Sequence, residues 1–392
     1  MRALIAVVLV LAGGDAFRRQ APAVTRLGSP DAVLPHDFSQ IRGVVERRGG
    51  RLLVTDRIAE ALLAVDFNAR TATRIGRTGG GPEEYRLPGR LVPLPGDSVL
   101  LIDEGNDRLA VIGPDDRIHR TFHARTPELS VGLTPRAVDS AGRFYTMIPD
   151  WVLFGMRQPS DSLPIVRFAM GAERLERIGW IHPAPQPPPP PRRDRPRIPM
   201  LIFGAGDSWA ASPGGRIAIV HAAPYRIEWI EPNGTRATGP AVAWEPLPVT
   251  AADRTAYTKD FLATSGIGGK GGPGGAPGGL SAVPAELQTD ARVPEMVANT
   301  AFAKTRPPFT DAAPRIAPDG RLWVERSTPL GAPSTWDVFD ERGRPAARVE
   351  LPRGRRLVAL GAGAVYLAAL DADGLEHLER YRPGSVPAGP AR

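Results

Sequence analysis

The sequence predicts an all-β chain: a six-bladed β-propeller of four-stranded antiparallel blades, closed by an N-terminal strand and carrying two insertions. Three observations lead there. A unit of paired strands recurs about every 45 residues, the period of a propeller blade. Gly 43 and Pro 43 among 392 residues make about a fifth of the chain, a level that fits many short strands with turns between them and falls short of low-complexity disorder. The remaining composition, 42% hydrophobic and 23% charged, supports a sizeable core.

The clearest unit runs from Ile75 to Asp115. A Gly/Pro loop (Gly76 to Pro82) opens it, and Asp97-Ser98 makes a turn. Val99 to Asp103 and Arg108 to Ile112 then read as strands joined by Glu104-Gly105-Asn106-Asp107. Here Asp and Asn side chains cap backbone N–H groups, Gly105 is expected at positive φ, and Arg108 reaches a nearby carboxylate. An earlier copy aligns Asp56 with Asp103, Leu52 and Val54 with Val99 and Leu101, and Leu62 and Ala64 with Leu109 and Val111. Later copies open at Gly142-Arg143-Phe144-Tyr145, Gly215-Arg216-Ile217, Gly320-Arg321-Leu322-Trp323 and Gly363-Ala364-Val365-Tyr366. Each has a second apolar run, at Ile165 to Phe168, Ile227 to Ile230, Trp336 to Phe339 and Leu378 to Tyr381.

Two spacings exceed the period. Residues 182–199 hold the block Pro187 to Pro191, which reads as an extended polyproline excursion. Residues 244–311 hold a helix start at Thr250, with an acid three residues on, a continuation over Ala256 to Ala263, a glycine-rich run from Gly266 to Gly279, and a second helical stretch from Glu286 to Phe302 disturbed by Pro294. The sixth unit, from Leu357, supplies three strands. A propeller must close its ring, so Pro22 to Leu27 is expected to provide the fourth strand and remove an exposed edge.

Met1-Arg2 followed by Ala3 to Ala12 reads as a basic and then apolar leader, with Gly14-Asp15-Ala16 as a cleavage site. The run is too short for a membrane span. The organisation is therefore a signal peptide at 1–16, an N-terminal segment at 17–40 with the closing strand, and a propeller at 41–392. The expected location is exported, periplasmic or extracellular, as a monomer with no membrane span after cleavage. Cysteine is absent, which excludes a disulfide framework, a thiol nucleophile and a thiolate metal site. The net charge of +7 rests on dispersed arginines, with lysine only at 259, 270 and 304. No recognition motif or interleaved aromatic residue accompanies that charge, so nucleic acid is not an expected partner.

Gly76-Arg77-Thr78-Gly79-Gly80-Gly81-Pro82-Glu83-Glu84-Tyr85-Arg86-Leu87-Pro88 resembles the interblade loop G-x-x-G-x-G-P-G-E-F-x-x-P of NHL-repeat propellers, and Asp103-Glu104-Gly105-Asn106-Asp107-Arg108-Leu109 resembles their D-x-G-N-x-R-I turn. Exported bacterial members of that type also have blades similar to Pro318 to Val324 with Trp336 to Asp340. The likeness spans nearly the whole mature chain as fold, but only the second unit carries the full motif. In the first unit Arg57-Ile58-Ala59-Glu60 replaces the turn. Fold likeness does not transfer a function.

No catalytic, cofactor-binding or metal-ligating residue is assigned from the sequence. Gly76 to Gly81 and Gly268-Gly269-Lys270-Gly271 lack the ending and the helix of a phosphate loop. Gly206-Asp207-Ser208-Trp209-Ala210 lacks the last glycine of a serine elbow. His119 and His123 lie four apart, but on a strand that separates them by ~13 Å. His36, His182, His221 and His377 are scattered, and a zinc-dependent lyase of the kind known among related propellers would need three histidines to converge. Asp56, Asp103, Asp139, Asp150, Asp319 and Asp340 fall at repeat turns. The expectation is an exported, non-enzymatic propeller that binds a small molecule or protein through one face, with no cofactor and with the second insertion as a cap. The competing reading is a lactonase- or lyase-type propeller enzyme with its site at the channel mouth.

Overall fold

The computed structural model describes residues 24–123, 133–148, 161–170, 174–185, 200–265 and 290–382, together with Pro22, Ala172 and Pro187. The leader, the polyproline block after Pro187, Asp150 and the glycine-rich run around Lys270 lie outside them. The chain is a six-bladed β-propeller, each blade containing four antiparallel strands.

Two strands precede the first blade, β1 (Val24–Arg26) and β2 (Ala32–Phe38). From the channel outward, blade 1 is β3 (Ile41–Glu46), β4 (Leu52–Asp56), β5 (Ala61–Asp66) and β6 (Thr71–Ile75). A parallel pair, β7 (Arg77–Thr78) with β8 (Glu84–Tyr85), then leads into blade 2: β9 (Pro88–Pro93), β10 (Val99–Asp103), β11 (Arg108–Ile112) and β12 (Ile118–Phe122). Blade 3 is β13 (Ala137–Val138), β14 (Phe144–Met147), β15 (Leu163–Phe168) and β16 (Glu176–Ile181). Blade 4 is β17 (Ser208–Ala211), β18 (Ile217–Ala222), β19 (Tyr225–Ile230) and β20 (Arg236–Thr238). Blade 5 is β21 (Arg315–Ile316), β22 (Leu322–Glu325), β23 (Thr335–Phe339) and β24 (Pro345–Glu350). Blade 6 is β25 (Arg355–Leu360), β26 (Val365–Leu370) and β27 (Glu376–Tyr381), with β2 outermost.

The core lies between the blades, one apolar layer per neighbouring pair. Leu53, Leu62, Leu101 and Ala110 pack between blades 1 and 2, and Val92, Leu100, Phe144 and Val166 between blades 2 and 3. Leu34, Phe38, Val54, Tyr366 and Leu378 join blade 6 to blade 1, so the ring is sealed hydrophobically as well as by strand pairing.

The closing strand differs from the expected one. Ala32–Phe38 pairs antiparallel with β27, whereas Val24–Arg26 runs parallel to β24 as a fifth strand of blade 5. Burial gives the reason: Leu34 and Phe38 are 1% and 0% exposed, while Val24 is 48% exposed. Only the later segment has apolar side chains at the spacing that fills the blade 6–blade 1 interface.

The second insertion forms a small cap. Its longer helix, Ala251–Ser265, starts at a reciprocal capping box: Asp253 N–H donates to Thr250 Oγ1 (3.1 Å), and Thr250 N–H donates to Asp253 Oδ2 (2.8 Å). The shorter helix is Val293–Asn299, and Pro294 stands in its first turn. That position starts a helix instead of disturbing one, because the missing N–H has no intrahelical acceptor there. Ile202, Phe261, Leu262, Val293 and Met296 make a separate apolar cluster, so the chain between blades 3 and 4 packs into the cap. Trp244 and Phe309 belong instead to the blade 4–blade 5 layer, which makes the excursion shorter than residues 244–311.

The motif loop and turn lock together. Asp103, fully buried, accepts from Arg86 N–H, Asn106 Nδ2 and Arg108 Nε at 2.8 Å each. Arg108 also donates to the carbonyls of Gly80, Gly81 and Glu84. The positive φ falls on Asp107 (50°), not on Gly105. Glycine is required at 105 by close approach, since a Cβ there would meet Arg86 Cβ at 2.5 Å.

Candidate functional site at the cap-bearing mouth of the channel

Four hairpin-connected strands place the start of the first, the end of the second, the start of the third and the end of the fourth at one edge of a blade. On that edge lie the connections between blades, and hence the cap. Candidate functional side chains gather there in two sets.

The first set is arginine. Arg42 and Arg90 are the second and third residues of β3 and β9, Arg136 immediately precedes β13, Arg315 opens β21 and Arg356 is second in β25. Each belongs to an innermost strand or the residue before it, at the same end of the channel. Three of them bridge to the next inner strand. Arg136 donates to Trp209 O (3.3 Å), Arg315 to Val358 O (2.9 Å), and Arg356 to Ile41 O (3.1 Å) and to Glu376 (2.6 Å). Among the described residues no hydrogen bond holds the Arg42 or Arg90 guanidinium, and the Nε atoms of Arg42 and Arg315 are buried without a partner. Burial lowers the pKa of Arg136 to about 10, with Arg90 adding to the effect. Burial also lowers Arg315 to about 10, helped by Arg356 and by Arg90 of blade 2 across the channel. Both remain cations at neutral pH. Glu104 is the nearby acid felt by Arg42 and Arg90, and it is already paired with Arg57.

The second set lies at blade 4. His182 follows β16, Asp207 precedes β17, and His221 is near the end of β18. Blade geometry thus brings together residues 25 and 14 apart in sequence: Asp207 Oδ2 lies 3.1 Å from His182 Nδ1 and 3.1 Å from His221 Nδ1. Ala222 N–H donates to Asp207 Oδ1 (3.0 Å), and Asp207 N–H donates to His182 O (2.7 Å). On the far side, His221 Nε2 is 3.1 Å from Glu228 Oε2, and Arg236 donates to Glu228 Oε1 (2.6 Å). Burial alone would raise the Asp207 carboxyl, but hydrogen bonds from His221 and from the Ala222 and His182 amides hold it down at about 2. The hydrogen bond to Asp207 raises the pKa of His221. Asp207 and His221 are 7% and 15% exposed and His182 is 70% exposed, so the cluster opens to solvent on one side. The three residues offer one ligand atom each within 4.8 Å of one another.

The other sequence candidates stay apart. His119 pairs with Asp115 and His123 with the carbonyl of Asp107, while His377 lies between Asp37 and Asp371. Asp56, Asp139 and Asp340 accept backbone N–H groups at their turns, and Asp319 accepts from Arg321 N–H. On the opposite face a cleft of about 230 Å³ lies between blades 3 and 4, where Arg167 pairs with Glu176 and Glu231 with Arg216.

Among solved structures, the chain is similar to a gluconolactonase from Xanthomonas campestris, with 12% identity over 93% of this chain and 99% of that one and a TM-score of 0.44. It is also similar to the calcium-binding protein regucalcin from Agrobacterium tumefaciens (12% identity, 92% and 96% covered, TM-score 0.41). A third is virginiamycin B lyase from Staphylococcus aureus (13% identity, 89% and 97% covered, TM-score 0.38). No protein-family model and no curated protein matches the chain. At these values the likenesses carry no argument about activity.

Proposed function

We propose that this is an exported ligand-binding propeller of the NHL-repeat type whose site is the cap-bearing mouth of the channel, and that its ligand is a small anion, a carboxylate or phosphate. The observation that carries the reading is the set of inner-strand arginines at one end of the channel, with Arg42 and Arg90 unheld by any hydrogen bond among the described residues. Two guanidinium charges ~8 Å apart repel by about 2 kcal/mol at an effective dielectric of ~20. Of the nearby acids, Glu104 and Glu376 are already engaged by Arg57 and Arg356, and Glu325, which faces Arg315, accepts from Thr310 and Ser334. A bound anion offsets that repulsion and satisfies donors that are otherwise costly to bury. The resemblance of Gly76 to Pro88 and of Asp103 to Leu109 supports the NHL assignment, and the leader at Met1 to Ala16 supports export.

Calorimetric titration with inorganic phosphate, sulfate and citrate, and with glucose as the neutral control, tests the reading. The anions bind and glucose does not, and Arg42→Gln with Arg90→Gln weakens binding at least 10-fold while the melting temperature holds. Equal binding by the double variant, or no anion binding at millimolar concentration, would refute it. An enzymatic reading has one observation in its favour, the His182–Asp207–His221 cluster at the same mouth.

A further inference from the structure

We propose that His182, Asp207 and His221 bind a divalent transition metal ion of the zinc type. This inference does not depend on the anion reading, because it uses none of the channel arginines.

The donor set fits in type and in spacing. Two imidazoles and one carboxylate suit zinc and its neighbours, whereas calcium and magnesium take oxygen ligands. Bonds of about 2.0–2.1 Å in a tetrahedron imply ligand–ligand edges of ~3.3 Å. Asp207 Oδ2 already lies 3.1 Å from the Nδ1 of each histidine. The two histidine nitrogens lie within 4.8 Å of each other, and rotation of the exposed His182 closes that third edge around an ion.

A second observation points the same way. A metal-bound histidine normally gives its other ring N–H to a carboxylate, which fixes the ring. Glu228 stands at that position behind His221 (3.1 Å) and is itself held by Arg236. Asp207 is likewise fixed through its second oxygen by the Ala222 amide. His221 and Asp207 stand at strand ends in blade 4, so two of the three ligands have a rigid mount. His182 faces solvent and leaves room for a fourth ligand, a water or an anion. Arg226 stands opposite His221 in register and Arg236 beside Glu228, so the surroundings favour a negative fourth ligand. Without a metal, the same contacts are those of a protonated His221 held between Asp207 and Glu228.

The test uses untagged full-length protein stripped with EDTA. Titration with Zn²⁺ by calorimetry gives one site per chain, and Co²⁺ gives the intense visible bands of tetrahedral coordination. His182→Ala, an exposed position, keeps the melting temperature and weakens Zn²⁺ at least 10-fold. Glu228→Gln weakens it about 10- to 100-fold, the range found for removing such a supporting carboxylate. Ca²⁺ does not compete. Absence of Zn²⁺ binding, or Zn²⁺ affinity unchanged in both His182→Ala and His221→Ala, would overturn the site and leave the protonated ion-pair network as its description.

Discussion

Replacing Tyr85 by Phe removes one oxygen atom from the joint between blades 1 and 2. The Tyr85 side chain is fully buried; its hydroxyl accepts from Leu62 N–H (2.9 Å) and donates to Ile75 O (2.9 Å). Leu62 and Ile75 stand opposite each other at the end of the β5–β6 pairing, so the hydroxyl is spliced into the ladder where the two strands diverge. Gly76 lets the ring come so close: it sits at φ +62, and a Cβ there would meet Glu83 O at 2.6 Å and the Tyr85 ring at 3.2 Å. Phenylalanine keeps the ring and strands both backbone groups. Each buried unsatisfied group costs about 1–3 kcal/mol, and closure of the strand end recovers part, so the net loss is about 2–3 kcal/mol. With an unfolding entropy of about 2.1 cal/mol/K per residue, a chain of this size loses roughly 1.3 °C per kcal/mol, which gives a fall of about 3–4 °C. Differential scanning calorimetry reads the shift, and hydrogen exchange at the Leu62 amide reads its origin. A melting temperature within 1 °C of the parent, with Leu62 still protected, would show that the hydroxyl is not part of the ladder.

Two further outcomes follow from the structure. A chain starting at Leu27 keeps a cooperative unfolding transition and one starting at residue 40 loses it, because β2 and not β1 completes blade 6; within full-length protein, Phe38→Ala costs about 3–5 kcal/mol, Val24→Ala within ~0.5 kcal/mol, and the reverse order by urea titration would return closure to the earlier strand. Asp253 and Arg306, 6% and 14% exposed, tie the cap helix to its neck at 2.7 Å. Burial acts to raise the Asp253 carboxyl, but the Thr250 amide and hydroxyl and Arg306 outweigh it and hold the pKa below its ordinary value. A depressed carboxylate contributes stability above its unfolded pKa of about 3.9 and loses it as pH falls through the folded value. Asp253→Asn therefore costs about 3 kcal/mol near pH 6 and less at pH 2.5, where a cost independent of pH would contradict the sign.

The architecture was legible because the blade repeat is written in chemistry that acts locally. Asp139 and Asp340 cap the amides of their own turns, and apolar runs such as Leu52 to Val54 need only their neighbours to fix a strand. The closing strand was misread because Pro35-His36-Asp37 sits between Leu34 and Phe38 and hides their common role. Gly105 was misread because a short-range close approach and a positive φ select the same residue. The His182, Asp207 and His221 set carried no spacing signal, since its members meet only after two blades are stacked side by side. The channel arginines were hidden differently, among dispersed arginines that serve surface pairs.

Blade 4 shows where a signal did exist. The other five blades place arginine within the first three residues of the inner strand or immediately before it, whereas blade 4 places Asp207 before Ser208 at that station. Asp207 also differs from Asp139 and Asp340: it accepts from two histidines and from amides of two separate segments instead of capping its own turn. A repeat protein holds its fold through what the units share, so a position where one unit reverses the charge of the rest is free of that constraint. The connections before and after this blade also contact each other at the cap, through Ile202 and the 302–303 backbone. Departure from the repeat, cluster and cap therefore coincide on the sector at blade 4. Its carboxylate–imidazole pole, set against the arginines of the other five inner strands, gives the mouth a polarity that a ring of identical blades would lack.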